Sequence, residues 1–176
     1  MTVLLIILAA LLYAAAGVLL FKKELLGPVA SFLGLGCVYA AGVLPMNMNM
    51  LVTWLCLTLV VTGVSTMQPP ALMAQTRGMG YITLGSLAGM AVGLLGYTFT
   101  AKPGAIYAIM CLGVVVGIFF AYFLFTRTPR GAELGLSRAR FVSYLLAKGF
   151  PVAIAVMMLG MVLILWIFTR TPVPAP

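Results

Sequence analysis

Six stretches of the chain are almost wholly apolar, at about 3–21, 28–44, 50–67, 81–99, 105–125 and 150–168, with short polar or Pro/Gly-containing stretches between them. Each is close to the ~20 residues a helix needs to cross a hydrocarbon layer. The pattern predicts an all-α fold: a polytopic transmembrane helical bundle of six spans in one membrane domain, residues 1–176. Six spans use roughly 120 residues, which leaves too few for an appended soluble domain.

The punctuation fits helix ends. Pro28 suits a first helical turn, where no backbone donor is needed, and Pro45 suits an exit. Gln68-Pro69-Pro70 closes the third run, and Thr100-Ala101-Lys102-Pro103-Gly104 separates the fourth from the fifth. The first run has no basic residue before it and is of span length, so it reads as an uncleaved span rather than a secretory signal. The longest connection, 126–149, carries part of a helical pattern over 133–148: Leu134, Phe141 and Leu145 share one face. That segment is either a helix lying in the membrane interface or an extension of the sixth span kinked at Pro151.

Charge orients the bundle. Lys22, Lys23, Arg77, Arg127, Arg130, Arg138, Arg140 and Lys148 fall on one side of the alternation, and Lys102 and Arg170 on the other. Basic residues in short loops mark the inner side, so both termini are expected on the outer side. Hydrophobic residues make up 64% of the chain and charged ones 7%, against roughly 25% in soluble domains. Twelve charged side chains cannot cover a soluble globule of 176 residues. The net charge of +8 is therefore read as membrane flanking, with anionic lipid at the inner face as partner and no nucleic acid. A bacterial or archaeal plasma membrane is the expected location.

Composition also limits the chemistry. The chain has no His and no Asp, and its only acids, Glu24 and Glu133, lie outside the spans. A proton relay normally places an acid or His at membrane depth, and a Ser–His pair needs His. No enzyme and no cofactor is expected. Cys37, Cys56 and Cys111 sit inside apolar runs with no CxxC pair, as packing residues.

Three constellations stand out. Gly85, Gly89 and Gly93 repeat at four-residue spacing in the fourth span, and Gly113, Gly117 and Ala121 do so in the fifth. Such a stripe, of the glycine-zipper kind, lets helix backbones approach closely, either within the chain or against another subunit or a second copy. Thr58, Thr62, Ser65 and Thr66 form a hydroxyl stripe in the third span, as helix packing or as the lining of a polar path. Met46, Met48 and Met50 put three thioethers beside the outer end of the third span, as apolar filler or as soft ligands for Cu(I). The function expected first is a non-catalytic membrane subunit or scaffold of a larger envelope complex. The alternatives are a small permease or channel for a neutral or monovalent solute, and a Cu(I)-handling membrane protein.

Overall fold

The computed structural model describes residues 1–22, 26–68, 78–95, 103–129 and 143–170, and all regular structure among them is helical. In chain order the helices are α1 (Thr2–Lys22), α2 (Leu26–Ala41), α3 (Met48–Thr66), α4 (Met79–Leu94), α5 (Pro103–Thr126) and α6 (Phe150–Arg170). A π-helical turn, Leu145–Gly149, leads into α6. Four apolar stretches, Thr2–Phe21, Met48–Thr66, Gly104–Thr126 and Leu145–Thr169, are long enough to cross a membrane. The other two helices, α2 and α4, are apolar but have 16 residues each. At 1.5 Å per residue they reach about 24 Å, short of a hydrocarbon layer of about 30 Å.

The helix ends differ from the apolar runs for local reasons. The second run extends to Leu44, but α2 stops at Ala41 because Gly42 adopts φ +64° and donates its N–H to Tyr39 O. Glycine enters this left-handed conformation without steric penalty, and it turns the chain out of the helix. At the start of α4, Gly78 has φ +88° and lies against Phe125 and Tyr144. A Cβ there would stand 2.6 Å from the Tyr144 hydroxyl, so both conformation and space require glycine.

Residues 143–149 are helical and continuous with α6; residues 133–142 of the expected 133–148 helix lie outside the described residues. The π turn has a visible cause. Pro151 cannot donate to Ala147 O, and its ring would clash with that carbonyl in a regular helix. A wider turn relieves the conflict, and Phe150 N–H donates to Leu145 O, five residues back.

The bundle is organised around α6, the most buried of the long apolar helices, which touches every other helix. One apolar cluster joins its Val152, Ala155 and Val156 to Met79, Ile82 and Met90 of α4 and to Ile106, Met110 and Val114 of α5. A second joins its Ile154, Met158 and Met161 to Leu35 of α2 and to Trp54 and Val61 of α3. Trp54 Nε1 donates to Met161 Sδ at 3.1 Å, which fixes α3 alongside α6. Helices α1 and α2 form an antiparallel hairpin, with Gly27 against Leu20 and Gly34 against the Tyr13 ring.

Candidate functional site: polar groups inside the bundle

The hydroxyl stripe of α3 satisfies itself. Thr58 Oγ1 donates to Trp54 O at 2.8 Å, Thr62 Oγ1 to Thr58 O at 2.7 Å and Thr66 Oγ1 to Gly63 O at 2.8 Å. Hydroxyls in apolar helices commonly bond back to their own carbonyls in this way. Thr58 is buried, Thr62 half-buried and Thr66 exposed, so that four-residue row rotates from the core towards the outside, while Ser65 stays buried. Ser65 differs from the threonines, because its Oγ is buried and has no partner.

The polar groups that converge come from elsewhere. A cavity of about 50 Å³ lies between α1, α2, α4 and α6, and Tyr13, Ser31 and Thr83 line it. Ser31 and Thr83 are 2% and 1% exposed. The Tyr13 hydroxyl and Thr83 Oγ1 have no hydrogen-bond partner. Leaving a buried hydroxyl unpaired costs about 1–3 kcal/mol, so two of them on one cavity mark a place suited to a small polar occupant. One water needs roughly 10–15 Å³, which makes this space large enough for a few. The three polar side chains offer neutral donors and acceptors only, so a hydrogen-bonding neutral molecule fits them better than an ion.

These three residues form no pattern along the chain, because each is a hydroxyl from a different helix; only the fold brings them together. The available signal was that Ser31 and Thr83 interrupt otherwise apolar runs. Ser86, one turn after Thr83, does not reach across to another helix; its Oγ donates to Thr83 O at 2.8 Å.

The small-residue stripes of α4 and α5 face each other. A Cβ at Gly85 would meet Ala121 and the Gly117 carbonyl, one at Gly89 the Gly113 carbonyl, and one at Gly93 the Met110 backbone. The pairing is antiparallel, and it is the most extensive helix–helix contact among the described residues. Gly85, Gly89, Gly113 and Gly117 also floor an outward groove with Val92, Val116 and Phe120.

The three methionines separate. Met46 is buried in the α2–α3–α6 cluster, Met50 packs against that cluster and Met48 is 57% exposed. Two of the three thioethers thus serve the core, which the i, i+2, i+4 spacing does not reveal. Lys148, expected among the inner-side basic residues, is instead fully buried in the π turn, which packs against α3 and α4.

No protein-family model, curated protein or solved structure matches this chain.

Proposed function

We propose that the chain is a non-catalytic, membrane-embedded subunit or scaffold of a larger assembly. In this reading all six helices enter a bacterial or archaeal plasma membrane, with both termini outside and the basic loops inside. The observation that carries it is the placement of α6. Its Val152, Val156 and Met158 fill the middle of the bundle, where a conduit would need a polar lining. Meanwhile α3 keeps a broad apolar face uncovered, with Leu59 and Val60 each at least 60% exposed. A central packed helix with outward apolar faces is suited to holding neighbours in place. Purification in a mild detergent tests this: stoichiometric co-purifying membrane subunits are the expected result, and a lone chain under several mild conditions would refute it.

A second reading, a permease for a small neutral solute, is favoured by one feature. The hydroxyl cavity lies at the seam between the α1–α2 hairpin and the helices α4 and α6. Motion of the hairpin would alter it, because α1 makes little contact beyond α2. Flux into liposomes holding the purified chain decides this reading. No flux above empty liposomes, across a panel of neutral solutes and ions, removes it.

A further inference from the structure

On the outside of the bundle, α5 and α6 enclose a groove of about 440 Å³ with a wholly apolar lining. Val115 and Phe119 form one wall, and Leu145, Phe150, Ala153 and Met157 form the other. Its size falls within the ~300–1,000 Å³ of small-molecule sites. The groove is reachable from outside, since Phe119 is 50% and Phe150 52% exposed.

The α5 wall continues into a charge. Val115, Phe119, Phe123 and Arg127 follow at four-residue spacing, so they form one stripe along the helix. Arg127 N–H donates to Leu124 O, so the backbone keeps turning as far as Arg127. Its guanidinium carbon lies 4.2 Å from the Phe123 ring centroid. This cation–π contact leaves the guanidinium N–H donors available for an anion. Two turns, about 12 Å, separate Phe119 from Arg127 along the axis.

An apolar slot with a guanidinium two helical turns beyond its α5 wall complements a molecule with a hydrocarbon chain and an anionic head. We infer that this groove is a binding site for an anionic phospholipid, with one acyl chain between α5 and α6 and the phosphate at Arg127. The chain supplies affinity by burying apolar surface. The guanidinium supplies selectivity, because its planar fork matches a phosphate with paired hydrogen bonds. A zwitterionic lipid offers the same chain and phosphate, but its own ammonium competes with the arginine. The site is independent of whether the chain acts as a scaffold or a permease.

The test uses the full chain in a neutral detergent, titrated with phosphatidylglycerol or phosphatidylcholine of identical acyl chains and read by native mass spectrometry. Phosphatidylglycerol should bind more tightly. Arg127→Gln should weaken phosphatidylglycerol about fivefold, the value of one basic residue near an anionic headgroup, and leave phosphatidylcholine unchanged. Ala153→Phe, which fills the slot, should weaken both lipids. Equal binding of the two lipids by the unaltered chain would overturn the inference. So would an undiminished preference for phosphatidylglycerol in Arg127→Gln, a substitution at an exposed helix end that leaves the core intact.

Discussion

Gly89→Ala tests the α4–α5 seam most sharply, because the same substitution should have opposite signs at two helical positions. In the interior of a helix, alanine is favoured over glycine by about 0.5–1 kcal/mol. Gly36 in α2 has no heavy atom within 4 Å of where a Cβ would stand, so Gly36→Ala should express that gain. At Gly89 the new methyl would overlap the Gly113 carbonyl and stand 2.7 Å from its carbon and 3.2 Å from Val114 Cα. These are backbone atoms, which no rotamer change can move. Only separation of α4 from α5 makes room, and overpacking of this kind costs about 1–3 kcal/mol. Subtracting the propensity gain leaves a net loss of up to about 2.5 kcal/mol. Adding Gly85→Ala should cost less than its own single value, because the helices have already moved apart; for coupled neighbours the shortfall is about 0.5 kcal/mol or more. Reversible unfolding in mixed micelles, followed by the fluorescence of Trp54 and Trp166, measures the three single variants and the double variant against the unaltered chain. If Gly89→Ala proves as stable as Gly36→Ala, the seam is not held by close backbone approach and the reasoning fails.

Thr62→Val removes a hydroxyl already bonded to its own helix, so unfolding should change by less than about 1 kcal/mol; a larger loss would mean that the hydroxyl has a partner on another helix. Met161→Leu leaves the buried Trp54 indole N–H without its acceptor and should cost about 1–3 kcal/mol in the same assay, whereas an unchanged transition would show that the N–H···S contact contributes nothing. Thr83→Val should destabilise by about 1 kcal/mol if water fills the cavity, and a gain in stability would show it to be dry. For orientation, with the three native cysteines replaced, an impermeant thiol reagent on intact cells should label Asn47→Cys and not Ser137→Cys; the reverse pattern would invert the bundle.

Periodicity and composition were enough to locate the helices. Lipid imposes one requirement, an uninterrupted apolar stretch with internal hydrogen bonding, and that requirement is written in consecutive residues. The small-residue stripes were legible for a related reason: Gly85, Gly89 and Gly93 lie on one helix and need only helical geometry to align. Sequence could not set the length of α2, because the run of apolar letters continues past Gly42 while the backbone turns there. Nor could it choose among hydroxyls. A threonine in an apolar helix is satisfied by its own carbonyl or left bare according to its rotamer and neighbours, so Thr62 and Thr83 look alike in the chain and differ in the fold. The hydroxyl cavity joins residues from separate helices, and the apolar slot joins α5 to the π turn that Pro151 produces. Along one element, sequence spacing becomes spatial position through a fixed helical rise. Between elements, position depends on how the helices pack, and here that was decided by α6 taking the centre of the bundle.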